Sequence, residues 1–111
     1  MSIVEELGRF VAEVELAELP AEVVHAGRRA LLDTLGVAIA GSADPAAVAA
    51  RRAYRDCVGL GRSLVLGGGE TAAEFAALCN GVAAHSPEMD DFHRAATVHP
   101  GAVVVPAALA A

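Results

Sequence analysis

One stretch near the C-terminal end carries most of the side chains able to do chemistry: His85-Ser86-Pro87-Glu88-Met89-Asp90-Asp91-Phe92-His93-Arg94-Ala95-Ala96-Thr97-Val98-His99-Pro100-Gly101-Ala102. Three of the four histidines fall there, with three carboxylates and one arginine, in a chain otherwise rich in Ala, Val, Leu and Gly. Such a density of titratable groups seldom serves packing, because a buried charge must be paired or neutralised. Histidine beside carboxylates is the usual equipment for proton transfer near neutral pH. Three readings fit the residue types. One is acid/base catalysis on a small molecule, with His99 as the proton-transfer residue. Another is a metal site drawing on His85, Asp90, Asp91, His93 and His99, although their spacing matches no motif such as HExxH. The third is a structural loop whose Asp and His side chains cap helices and satisfy backbone groups.

The elements that must position this stretch read as helices. Ser2 followed by Glu5 forms a capping box, and Ile3, Leu7, Phe10, Val11 and Val14 follow at helical spacing, which predicts a helix over about 2–15. After a short link at 16–19, Pro20 suits the first turn of a second helix. That helix is apolar over most of its second half and is expected to be central, with Gly36 and Gly41 allowing close approach and then termination. Asp44-Pro45 restarts a helix whose Arg51, Arg52 and Arg55 read as a solvated face. Residues 59–69 read as a loop with a brief extended segment at 63–66. Gly67-Gly68-Gly69 lacks the phosphate-loop pattern and any lysine, so it reads as a turn. Thr71 and Glu74 suggest a second capping box for a helix running to about Ala84. An ordered loop follows to Pro100, then a last apolar helix over 102–111, interrupted by Pro106.

Composition narrows the function classes. The net charge of −6 excludes the basic footprint that nucleic acid requires. All eight basic residues are Arg, so neither a Schiff base nor a lysine general base can come from these residues. Cys57 and Cys79 fit no zinc or redox spacing and read as reduced helix residues. The acidic start and the lack of any long apolar run predict a cytoplasmic protein with no membrane span. Apolar residues make up 55% of the 111 but aromatics only 4%, so the core must be built from small aliphatic side chains. A mean hydropathy of +0.48 is hard to hide in so small a domain, and predicts apolar surface that packs against something else.

Several strings together resemble the MmgE/PrpD family, which includes 2-methylcitrate dehydratase and cis-aconitate decarboxylase. They are Leu19-Pro20, Leu32-Asp33-Thr34-Leu35-Gly36-Val37, Ala40-Gly41, Asn80-Gly81 leading to Ala84-His85, Asp90-Asp91 with His93, and His99-Pro100-Gly101-Ala102 with Pro106-Ala107. The resemblance covers the whole chain. It implies an all-α fold, here the N-terminal part of a larger helical domain over residues 1–111, with about five helices and without the family's separate lid domain. It also implies homodimers, or a second chain supplying that lid, and metal-independent lyase chemistry with no cofactor on a small citrate-like polycarboxylate. His99 matches the histidine of the family's His-Pro motif, expected in proton transfer, with Asp91 and Glu88 as further catalytic candidates. Asp90, His93 and Arg94 are the expected substrate-binding residues. Glu88 stands where better-studied members have Asp, which lengthens its reach, and Phe92 stands where they have a hydroxyl. The expectation is a carbon–oxygen lyase, or a decarboxylase or epimerase of the same family, with little activity from the 111 residues alone. The alternative from another class is a non-catalytic helical interaction module or a truncated remnant.

Overall fold

A computed structural model describes residues 2–111. Five α-helices follow one another: α1 (Ile3–Glu13), α2 (Ala21–Gly41), α3 (Pro45–Ala53), α4 (Ala73–His85) and α5 (Pro100–Ala110). Two-residue strands β1 (Ser63–Leu64) and β2 (Glu70–Thr71) pair antiparallel between α3 and α4. The fold is therefore all-α apart from this small hairpin.

The predicted starts of α1 and α3 hold, for different reasons. The Ser2 hydroxyl accepts the Glu5 N–H at 3.3 Å and the Glu5 carboxylate accepts the Ser2 N–H at 2.7 Å, completing the capping box. Asp44 occupies the cap position of α3, but its carboxylate accepts no backbone N–H there and takes the Ser86 hydroxyl at 3.1 Å instead. That bond ties the start of α3 to the end of α4. The second capping box is absent: Ala72 caps α4, and the buried Thr71 hydroxyl donates to the Cys57 carbonyl at 2.6 Å. A tertiary bond there wins over the local one. The stretch at 16–19 is not a plain link, because Leu16–Glu18 forms a 3₁₀ turn and Pro20 sits at the cap of α2 rather than in its first turn.

α4 is the centre of the molecule, packed by α5, α2 and α3. Its core partners are small. One cluster joins Ala38, Ala47, Ala83, Ala84 and Ala102; another joins Val65, Ala76, Cys79 and Ala110. Alanine faces let helix backbones approach closely but bury little area each, and burial stabilises by only about 0.8 kcal/mol per CH₂-sized group. Tyr54 and Phe75, with ring centroids 4.8 Å apart, add an aromatic pair beside the second cluster. The C-terminal half of α2 joins this core through Thr34, Ala38 and Gly41, while Leu31, Leu32 and Ile39 stay exposed. α1 buries no residue at all, and Ile3, Val4, Leu7, Phe10 and Val11 face outward. The apolar surplus expected from composition is thus visible on the surface. Among the described residues no single helix is long and apolar enough to cross a membrane.

Local expectations change at Arg51 and in α5, and Asn80 takes a role that the sequence did not suggest. Arg51 is half-buried rather than solvated, donating to the Ser42 carbonyl at 2.7 Å and reaching the Leu66 carbonyl at 3.4 Å; Arg52 and Arg55 are exposed as expected. Asn80 on α4 clamps the hairpin, donating to the Leu64 carbonyl and accepting the Leu66 N–H. α5 starts at Pro100 and runs unbroken through Pro106, whose buried ring packs into the helix contact. Pro106 leaves the Ala102 carbonyl without its i+4 donor, yet tertiary packing holds the helix where propensity alone would break it.

Candidate active site

The charged stretch joins α4 to α5, and each end of it is fixed by a helix. His85 is the last residue of α4, placed there rather than in the loop, and His99 is the cap residue of α5. Glu88 donates its N–H to the His85 carbonyl at 2.9 Å, closing a turn in which Glu88 itself has φ of 55°. Further along, His93 and Val98 bridge backbone to backbone at 2.9 Å, and Thr97 has φ of 53°. The loop is therefore ordered, as its lost periodicity and dense polar content suggested.

The three carboxylates diverge. Asp90 turns inward, and its side chain has no solvent exposure (0%). Its Oδ2 lies 2.9 Å from His85 Nδ1 in a hydrogen bond and 3.3 Å from His99 Nδ1. The second contact is out of line for a hydrogen bond, so His99 Nδ1 and Asp90 Oδ1 are both buried without a bonding partner. Asp91 Oδ1 accepts the Gly101 N–H at 2.8 Å, satisfying an orphan donor in the first turn of α5 and placing negative charge at the positive end of its dipole. Glu88 is exposed.

Gly101 explains the His-Pro-Gly string physically. A Cβ there would lie 2.5 Å from Asp91 Oδ1 and 2.6 Å from the Thr34 hydroxyl oxygen, inside contact distance of both. Glycine lets the Asp91 cap and buried Thr34 of α2 close on the start of α5. Thr34 belongs to the Leu-Asp-Thr-Leu-Gly string, so two strings distant in sequence meet beneath His99.

The two imidazoles meet edge to face with ring centroids 4.7 Å apart at 65°, and the Phe92 ring lies 5.0 Å from His99. His85 is half exposed and His99 about one-third exposed. Both line an open cleft of about 640 Å³ whose other walls are mostly apolar: Val82, Val98, Ala102, Val103 and Val104. Neither Arg94 nor Glu88 lines it. Arg94 is exposed on the loop, and His93 is spent on structure, its Nδ1 accepting the Ala96 N–H at 3.1 Å. Of the residues singled out in sequence, His99 and Asp90 come together at the cleft, Asp91 supports them from below, and Glu88, His93 and Arg94 stand apart. In sequence His85 stands out only as a metal-ligand type, although a histidine five residues before Asp90 is a signal for a partner.

These positions can be set beside known proteins. A sequence model of the MmgE/PrpD N-terminal domain matches residues 5–111. The chain belongs to the MmgE/PrpD family. It is similar to the cis-aconitate decarboxylase-like protein oryM of Aspergillus oryzae, with 32% identity over 111 residues. That alignment takes in 99% of this chain and 23% of the relative, so the MmgE/PrpD segment described here spans about a quarter of that relative's length. No solved structure gives a significant match.

In this MmgE/PrpD chain His85, Asp90 and His99 each offer one donor atom, all within 4.8 Å of one another. The set could take a divalent cation, but only if His85 Nδ1 gave up the proton it donates to Asp90. The hydrogen bond to Asp90 raises the His85 pKa above its usual value; partial burial opposes this, and the charges of Asp90 and Glu88 reinforce it. A folded pKa above the unfolded one stabilises the fold fully below the unfolded value of about 6.5, and that contribution is lost as pH rises through the raised value. His85→Asn keeps a donor but no titration. Wild type should therefore lose stability relative to His85→Asn as pH rises from about 6.5 through the raised value, read as urea midpoints. A constant difference across that range would disprove the coupling.

Proposed function

We propose that this segment supplies the proton-transfer half of a carbon–oxygen lyase site, acting on a small citrate-like polycarboxylate. The observation that carries it is His99: an imidazole at a cleft mouth, backed by a fully buried carboxylate, in an MmgE/PrpD chain. In such a dehydration a base removes the proton alpha to a carboxylate and an acid assists departure of hydroxide. His99 Nε2 is our base, and the Asp90 carboxylate, 3.3 Å from its Nδ1, balances the charge that develops on the ring. Asp91 acts through the backbone at Gly101 rather than on substrate. The relative from Aspergillus oryzae is named for decarboxylation, so loss of carbon dioxide is the second reading. Both reactions are helped by a group handling charge beside a substrate carboxylate.

The cleft wall is apolar and no arginine lines it among the described residues. Cations that bind substrate carboxylates are therefore assigned to the remainder of a family-length polypeptide, or to a partner subunit. The outward apolar face of α1 is available to pack against either. Two assays test this reading. The 111 residues alone should turn over citrate-like acids far more slowly than the complete enzyme, this segment joined to the rest of a family-length chain; equal rates would sink the division of labour. A strong chelator should leave both thermal midpoint and activity unchanged, because the proposed chemistry runs on imidazole protons. A drop in either would move the site to the metal reading.

A further inference from the structure

The function proposed above uses one histidine, yet the site holds two. His85 Nδ1 and His99 Nδ1 approach the same oxygen, Asp90 Oδ2, at 2.9 and 3.3 Å, and both rings border one cleft. We propose that His85 is the second proton-transfer group of this site, the acid that complements His99 across the shared Asp90 carboxylate. This rests on the lyase reading and extends it.

A bare ring nitrogen facing a carboxylate oxygen at such distances is repelled, whereas an N–H is attracted. Both histidines therefore carry hydrogen on Nδ1, toward Asp90, and both leave Nε2 on the far side of the ring. One carboxylate balances one imidazolium but not two. His85 holds the aligned hydrogen bond and is the protonated partner; His99 Nδ1, with no aligned acceptor, belongs to the neutral one. The pair thus starts with a base and an acid in place. His99 Nε2 takes the proton from the carbon alpha to a carboxylate, and the C–H electron pair becomes the new carbon–carbon double bond. The bond to the neighbouring hydroxyl breaks with its electrons on oxygen, and that oxygen takes the Nε2 proton of His85 and leaves as water. The extra proton has moved from His85 to His99, and exchange with solvent resets it through rings that are 50% and 35% exposed. Among the described residues no other nearby group fits the acid role. Glu88 is exposed away from the cleft, Asp91 is engaged at Gly101, His93 at Ala96, and Arg94 gives up no proton.

The test separates proton transfer from support. In His85→Asn the side-chain amide still donates to Asp90 but has no proton to exchange. In the complete enzyme this variant should lose roughly a hundred- to ten-thousand-fold in kcat on a citrate-like acid. Nitrogen-15 spectra of the complete enzyme supply the second readout. In wild type at mildly alkaline pH the unprotonated ring nitrogen should be Nε2 in both His85 and His99, and His99 should keep that pattern in His85→Asn. An active wild type with an equally active His85→Asn overturns the acid role alone. So does an unprotonated Nδ1 at either histidine in wild type. A wild type with no lyase activity on such acids overturns the lyase reading and the acid role with it.

Discussion

Replacing His99 by Ala in the complete enzyme should lower kcat by roughly a hundred- to ten-thousand-fold, the range over which a positioned general base acts. The fold should hardly notice. His99 is a cap residue whose side chain makes no cap bond, and the α5 start keeps its Asp91-to-Gly101 bond at 2.8 Å without the imidazole. The side chain's packing against Phe92 and His85 is partly exposed, so its removal should cost less than about 2 kcal/mol. One opposing effect favours the variant: the orphaned buried Nδ1 disappears with the ring. Activity and stability therefore separate, and measuring both on the same preparation is decisive. Near-normal turnover would end the role of His99, whatever the stability did. A collapse of the fold with parallel loss of activity would instead return the loop to a structural part. Thr34→Val makes a useful companion, because it changes a group beneath the site without touching an imidazole.

The contrast between local and long-range effects explains what could be read from the sequence. The five helices were legible because their signals are local: a capping box at Ser2, proline at the entry of α3, glycine at the end of α2. The His-Pro-Gly string announced α5 for the same reason, although the helix begins two residues earlier than expected, at Pro100. Thr71-Glu74 misled because a tertiary partner, the Cys57 carbonyl, outcompeted the local cap. Arg51 misled likewise, since the carbonyls it reaches lie nine and fifteen residues away. The site divided along the same line. That His99 and the aspartate pair were candidates for the site was visible in their types and order. Which aspartate turns inward was not, because adjacent residues on an irregular loop point wherever the packing of α4 on α5 sends them. His93 and Arg94 looked equal to His85 in sequence, and only the closure of the loop by the His93–Val98 bridge turns them outward. Family resemblance suggested the proposed chemistry, while the pairing of His85 with His99 through Asp90 required coordinates.

The positioning of that pair depends on how closely α2 meets α4, and two identical substitutions on α2 measure it. A Cβ on Gly41 would collide with the Ala83 carbonyl oxygen and would come within 2.6 and 2.8 Å of Pro87 ring atoms. Ala83 lies two residues before His85, and Pro87 two residues after it. Neither obstacle is a flexible side-chain tip, so backbone must move. Overpacking of this kind typically costs about 1–3 kcal/mol, against a helix-propensity gain of at most about 1 kcal/mol for Gly→Ala. Gly41→Ala should therefore destabilise, and it should also loosen the end of α4 that carries His85. Gly36 sits five residues earlier on the same helix with nothing within 4 Å of its would-be Cβ. There only the propensity term acts, so Gly36→Ala should stabilise by up to about 1 kcal/mol. The same chemical change on one helix thus has opposite signs, which urea denaturation resolves directly. Equal effects at both positions would mean that α2 and α4 do not touch at Gly41, and the support for the His85–Asp90–His99 geometry would go with that contact.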